Sequence, residues 1–287
     1  MIQGSKILAA AGVLCLSLTA PALAGSVTQP GETVGIAAGA PLPPGVYFVN
    51  TADYGCRNTS PDSTCALLDI PVVAWSTPWT LLGARLQFLV ATPLVMGNNA
   101  EGVYNPLLAG QLAWDLGNGF GFSYMLGAYF RVNTDVAFHS TSLNQRFALS
   151  YTGNGWNLTA NAILGNHFDS VTDCNPAIST ASCSINPNFL NVDLTATKKF
   201  GKWEIGPVGF YSTDLNSPIA GYQKQSQFAV GGLIGYNLEP VILQAYLTTD
   251  VYEKNYGGRD TRLWGRIIVP LGNPFATASA VPYRKRP

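Results

Sequence analysis

The chain has 287 residues, a formal net charge of zero and only 11% charged residues, well below the roughly one quarter usual for soluble domains. The absence of a basic excess argues against a nucleic-acid partner. No internal run approaches the roughly 20 apolar residues that a membrane-spanning helix needs. Low charge without long apolar runs suits a transmembrane β-barrel, whose lipid face is apolar only at alternate positions.

Residues 1–24 read as a cleaved signal peptide. Lys6 supplies the positive start, Ile7 to Leu18 the apolar core, and Ala22-Leu23-Ala24 the small-residue cleavage site. Cys15 lies inside it, and Gly12-Val13-Leu14 before it do not resemble a lipoprotein cleavage box. Residues 25–43 are rich in Gly, Ala, Thr and Pro, carry no charge but Glu32 and show no periodicity. They form an extended segment and a candidate lumen plug. The barrel is expected over 44–272, with a tail over 273–287.

Strands are predicted near 45–53, 66–76, 79–95, 106–116, 120–132, 144–153, 156–166, 189–199, 202–213, 225–237, 241–253 and 260–271. The hairpin from Pro106 to Val132 shows the pattern best. Leu108, Leu112, Trp114, Leu116, Phe120, Phe122, Tyr124, Leu126 and Phe130 share one face, while Gln111, Asp115, Ser123, Met125, Tyr129 and Arg131 share the other. Other strands repeat it, as in Trp156, Leu158, Ala160, Ala162 and Leu164, or Val241, Leu243, Ala245 and Leu247.

The connections alternate in length. Short turns are expected at Ser76-Thr77-Pro78, Gly117-Asn118-Gly119, Gly153-Asn154-Gly155, Phe200-Gly201 and Leu238-Glu239-Pro240. Long loops are expected over 54–65, 96–105, 133–143, 167–188, 214–224 and 254–259. Outer-membrane barrels have short periplasmic turns, long external loops and an even strand number. The expected fold is therefore all-β: an antiparallel, up-and-down transmembrane barrel of twelve strands. Trp114, Phe120, Trp156, Trp203 and Tyr236 lie beside short turns, where an interfacial aromatic belt belongs. The two cysteine pairs, Cys56 with Cys65 and Cys174 with Cys183, fall in the first and fourth long loops and read as local disulfides of an exported protein.

The inward faces supply the candidate lumen lining: Arg85, Gln87, Gln111, Asp115, Arg131, Arg146, Asp193, Glu204, Gln244, Tyr246, Asp250, Arg262 and Arg266. Asn161, Lys199 and Gln227 share that parity. Both charge signs are present, which fits either a space-filling ion-pair network or polar rungs along a conduit. Lysine- and arginine-rich binding stripes, phosphate loops, zinc spacings and nucleophile elbows are absent from the sequence. No cofactor and no metal is expected. His139 and His167 fall in predicted external loops and read as solvated, although a lipid hydrolase in a barrel wall would need such a base.

The segment Leu42-Pro43-Pro44-Gly45-Val46-Tyr47-Phe48 and the last strand, ending Ile267-Ile268-Val269-Pro270-Leu271-Gly272, resemble the outer-membrane proteins of the MetA pathway of phenol degradation. The resemblance implies a transporter-like barrel connected with aromatic or other hydrophobic compounds, and it brings no binding residues. The chain departs from an ordinary barrel by continuing past its last strand to Tyr283-Arg284-Lys285-Arg286-Pro287. The expected function is passive passage of small organic solutes across a bacterial outer membrane, with outer-membrane lipid and the barrel-assembly machinery as partners. The alternatives are an outer-membrane lipid hydrolase and a structural or adhesive barrel.

Overall fold

A computed structural model describes residues 25–97, 100–173 and 183–274. The expected signal peptide, Cys174 and all but the start of the tail lie outside the described residues.

The strands are β1 (Gly45–Arg57), β2 (Thr64–Leu81), β3 (Ala84–Ala91), β4 (Leu94–Gly97), β5 (Glu101–Val103), β6 (Leu107–Gly117), β7 (Phe120–Tyr129) and β8 (Ser142–Tyr151). They continue with β9 (Trp156–His167), β10 (Val171–Thr172), β11 (Ser184–Ile185), β12 (Phe189–Phe200), β13 (Trp203–Asp214), β14 (Ser226–Asn237), β15 (Ile242–Lys254) and β16 (Asp260–Gly272). Each long strand pairs antiparallel with its sequence neighbour, and β1 pairs with both β2 and β16. The wall therefore closes as a twelve-stranded barrel without an open edge, the requirement for a sheet in lipid. The third wall strand is β3 continued by β4 after a break at Thr92-Pro93, since both pair with β2.

The outside of the barrel exposes apolar side chains. Val73, Phe88, Leu108, Leu126, Leu149, Leu158, Leu194, Ile234, Leu247 and Leu263 face lipid. Trp79, Phe120, Trp156, Phe200 and Trp203 are exposed near the short turns, and Tyr54, Phe130, Phe168 and Tyr252 near the opposite rim. These are the two aromatic girdles of an outer-membrane barrel.

Three local features differ from the sequence expectation. The turn placed at Ser76-Thr77-Pro78 lies instead at Leu82-Gly83, both at positive φ (53° and 78°), as a two-residue primed hairpin turn requires. Pro78 sits in a bulge, where the pairing jumps from Ser76↔Gln87 to Thr80↔Arg85; a proline, lacking a donor, is tolerated there. The Thr77 hydroxyl donates to the Leu86 carbonyl across this gap (2.8 Å). Second, β1 and β2 run further outward than expected, so Cys56 and Cys65 are directly opposed in register and joined by a disulfide across the hairpin. Cys183 is also disulfide-bonded. Third, His167 is not a solvated loop residue. It ends β9, only 8% exposed, beside the rings of Phe138 and Phe189.

Candidate transport lumen

The inward side of the wall is not lined by charges alone. One apolar cluster joins Leu68, Val95, Tyr104, Met125, Tyr129, Ile163 and Phe189, and a second joins Val208, Phe210, Leu233, Tyr246 and Trp264. Each receives one fully buried valine from residues 25–43, Val27 in the first and Val34 in the second. Burying a valine fully contributes about 1.5–3 kcal/mol.

Between these valines the segment is held through its backbone. Asp193 on β12 accepts from the Gly31 N–H (2.8 Å), the Thr33 N–H (2.9 Å) and the Thr33 hydroxyl (2.5 Å). Arg266 on β16 donates to the carbonyls of Val34 (2.5 Å) and Glu32 (2.6 Å). Its remaining donors reach Thr51, Gln244 and the Tyr246 hydroxyl. A buried guanidinium is costly unless its N–H groups are satisfied; here carbonyls, an amide and hydroxyls do this without a carboxylate. The Gly35 N–H donates to Thr195 (2.7 Å), and its carbonyl accepts from Asn157 (3.0 Å) and Gln244 (3.1 Å).

Two glycines allow this fit. Gly35 has φ +84°, a left-handed conformation suited to glycine, and a Cβ there would stand 2.5 Å from Leu233. Gly39 runs so close to the wall that a Cβ would meet the Ser150 backbone nitrogen at 2.6 Å and the Gly121 carbonyl at 2.7 Å.

The one charge of the segment, Glu32, pairs with Arg146 on β8 (2.8 Å). Arg146 also donates to the Tyr129 hydroxyl (3.1 Å) and to Asn144 (2.9 Å). Glu204 accepts from the Thr197 hydroxyl and from Gln244 (3.3 Å). Gln87 and Gln111 join each other (3.0 Å), and Gln111 reaches the Ala38 carbonyl (3.5 Å). Toward the long-loop end, Arg57, Asp250, Asp260, Arg262 and Asp53 form a second network: Arg57 lies 3.4 Å from Asp250 and 3.5 Å from Asp260, and Arg262 pairs with Asp260 (2.8 Å) and Asp53.

Three residues of the expected lining stand apart. Asp115 has inward parity but lies at the short-turn end, exposed, and its carboxylate accepts from the Gly117 N–H (2.9 Å). Arg131 lies beyond the end of β7, exposed, and pairs with Asp173 (3.1 Å). Strand ends carry inward parity past the lumen, so alternation alone misplaces both. Arg85, half-buried near the bulge, donates to the Thr77 carbonyl (3.2 Å). Asp53 and Arg57, in contrast, were not among the expected lining: Asp53 ends the expected first strand and Arg57 lies beyond it, although both share period-two spacing with Thr51.

Around the segment the structure leaves three spaces. An outer cavity of about 100 Å3 lies among Gln29, Leu68, Val95, Val136, Phe210 and the Arg57–Asp250–Asp260 network. A neck of about 20 Å3 lies among Val27, Glu32, Leu68, Ile70, Tyr104 and Tyr129. An inner cavity of about 120 Å3 lies among Thr33, Leu42, Ala74, Gln87, Gln111 and Arg146.

The family model for the putative MetA pathway of phenol degradation matches residues 46–267. The chain belongs to this family. No curated protein matches it. Among solved structures, this phenol-degradation family chain is similar to an outer membrane channel from Pseudomonas putida F1, with a TM-score of 0.62 and 13% identity over 84% of this chain and 98% of that one. It also matches the NanC porin, with a TM-score of 0.49 and 9% identity over 77% of this chain and 98% of that one. A third match is the β domain of the Bordetella autotransporter BrkA, with a TM-score of 0.49 and 11% identity over 79% of this chain and all of that one. At these identities the likeness is one of fold, and the protein is an outer-membrane β-barrel.

The Nδ1 of His139 meets Asp173 and its Nε2 meets the Thr134 carbonyl (3.1 Å), which leaves neither nitrogen for a nucleophile. The neighbouring Ser140 hydroxyl donates to the Thr141 carbonyl (3.1 Å). Neither ring nitrogen of the buried His167 has a hydrogen-bond partner. Among the described residues no group of His, Cys, Asp and Glu is placed to hold a metal ion.

Proposed function

We propose that the protein is a passive outer-membrane channel for small organic solutes, with residues 25–43 as a fixed constriction inside the lumen. The observation that carries this reading is the backbone anchoring of the segment, from Gly31 to Gly39, by side chains of the inner wall. A segment fixed in this way narrows a twelve-stranded lumen to spaces of single-ring size. A dry apolar cavity of about 150 Å3 takes one benzene ring, and the outer and inner cavities, at about 100 and 120 Å3, come close to that. Energy coupling plays no part in the proposal: the solute moves down its gradient. Aromatic or other hydrophobic compounds are the proposed class, in keeping with the family's connection to phenol degradation and with the apolar residues that line both cavities.

The test is solute flux and ionic conductance of the purified barrel, with and without residues 25–43. Removal is expected to raise ionic conductance several-fold and to abolish discrimination by solute size. Unchanged conductance and flux would sink the constriction, and an intact barrel that passes no solute would sink the channel.

A further inference from the structure

The neck and the inner cavity lie on one side of residues 25–43, while the outer cavity spans the mouth from Leu68 to Phe210 and Asp250. Leu68 lines both the outer cavity and the neck, Ile70 the neck, and Ala74 and Ser76 the inner cavity. In β2 these positions share the inward face. The opposite side, at β12, β15 and β16, is where Asp193, Gln244 and Arg266 hold the segment. We infer that the solute path runs between residues 25–43 and the inward face of β2, and that the Glu32–Arg146–Tyr129 bridge is its barrier. The inference rests on the channel reading above and gives it a location and a selectivity.

Arg146 lines the inner cavity, while Glu32 and Tyr129 line the neck. The guanidinium that joins Glu32 and Tyr129 therefore stands between the two spaces. Above it the neck is walled by Leu68, Ile70, Pro93 and Tyr104. At about 20 Å3 the neck has room for about one water molecule, so a solute passes only by turning these side chains aside. An ion entering this neck would shed its hydration shell between hydrocarbon walls, which is costly without a partner. Glu32 and Arg146 already satisfy one another. The path therefore favours small uncharged molecules with an apolar body over ions of the same size. Residues 25–43 stay in place during passage; only side chains of the neck move.

The pair of probes is benzyl alcohol and benzoate, similar in size and different in charge. Uptake is measured in porin-depleted cells making the full chain. Faster uptake of benzyl alcohol than of benzoate is expected. Ile70→Trp is expected to cut benzyl alcohol uptake at least fivefold. Arg146→Met, which removes the barrier and leaves Glu32 in the neck, is expected to raise benzyl alcohol uptake and cation conductance several-fold while benzoate stays excluded. Since a bulky substitution can block assembly, Ile70→Cys gives a second measurement: an uncharged thiol reagent should block uptake through it, whereas Leu247→Cys, on the lipid face of the opposite wall, should leave uptake unchanged. Full modification of Ile70→Cys with undiminished uptake would overturn the path, as would block through Leu247→Cys alone. Wild-type protein that carries neither probe would instead overturn the channel reading itself, so the two failures are distinguishable.

Discussion

The two sides of the lumen treat residues 25–43 differently. On the side of β12, β15 and β16, acidic and basic side chains grip the segment: Asp193 accepts from two backbone N–H groups and the Thr33 hydroxyl, and Arg266 donates to two carbonyls. On the side of β2, β6 and β7, single neutral contacts suffice. Ser76 donates to the Leu42 carbonyl (2.8 Å) and Ser123 to the Ala38 carbonyl (2.8 Å). Hydrogen bonds to charged groups contribute about 1.5–3 kcal/mol each, neutral ones about 0.5–1.5. The segment is thus held more firmly on one wall than on the other, and the neck and inner cavity lie where the hold is weaker. Fixing one side and leaving the other loose keeps a narrow passage open at a defined place.

The largest effect should come from the strong side. Arg266→Ala removes both carbonyl contacts and leaves Val34, Glu32, Gln244 and Tyr246 without their shared donor. Each buried acceptor left unsatisfied costs about 1–3 kcal/mol. The segment is expected to detach, seen as new reactivity of a Val34→Cys reporter and as noisy, enlarged ionic conductance. A silent reporter and quiet conductance would show that the grip is not where the geometry places it.

Asp193→Ala comes next. Its three donors, two of them N–H groups of the segment, lose their acceptor, at about 2–4 kcal/mol in sum after partial relaxation. Asp193→Asn keeps the shape and one acceptor oxygen, so it should recover part of the loss. If asparagine behaves like the wild type in the same reporter assay, the carboxylate charge contributes nothing.

On the weak side, Ser123→Ala removes one neutral hydrogen bond and should cost about 1 kcal/mol. The reporter at position 34 should stay protected while the inner cavity gains room, so uptake of the larger solutes rises slightly. Equal detachment from Ser123→Ala and from Arg266→Ala would erase the difference between the two walls.

How far this asymmetry could be read from the chain depends on the kind of order involved. The wall follows period two, and Leu108, Leu158 or Leu247 declare their side by their neighbours. The long-short alternation of connections ordered the strands. It failed at the β2–β3 turn, where Leu82 adopts a left-handed conformation that nothing in a leucine advertises, while Ser76-Thr77-Pro78 imitates a turn. Parity also gives face and not height, so Asp115 and Arg131 shared the inward register with Asp193 while sitting at the rims. The path of residues 25–43 had no such signal. Its partners are single side chains far away in sequence, as when Gly31 meets Asp193 or Val34 meets Arg266, and the segment itself has no period. Glu32, its lone charge, was the one sign that it met something polar.

The smallest expected effect lies outside both walls and serves as their control. At the external rim Asp173 pairs with His139 and with Arg131 (3.1 Å) and accepts from Ser184 (3.0 Å). Desolvation, the largest single influence, pushes its carboxyl up, but the hydrogen bonds from His139 and Ser184 and the neighbouring charges together outweigh it and hold the group below its ordinary value of 3.8. A depressed carboxyl stabilises the folded rim above its unfolded value, and that contribution is lost as pH falls from about there through the lower folded value. The pair is open to solvent, so screening limits it to about 0–1 kcal/mol. Proteolysis of the loops bearing Arg131 and Asp173 should quicken modestly in acid below about pH 4, and Asp173→Asn should remove that dependence. Solute uptake should not change, because none of these groups lies between the segment and β2. An uptake change in Asp173→Asn as large as that in Arg146→Met would move the barrier from the neck to the rim.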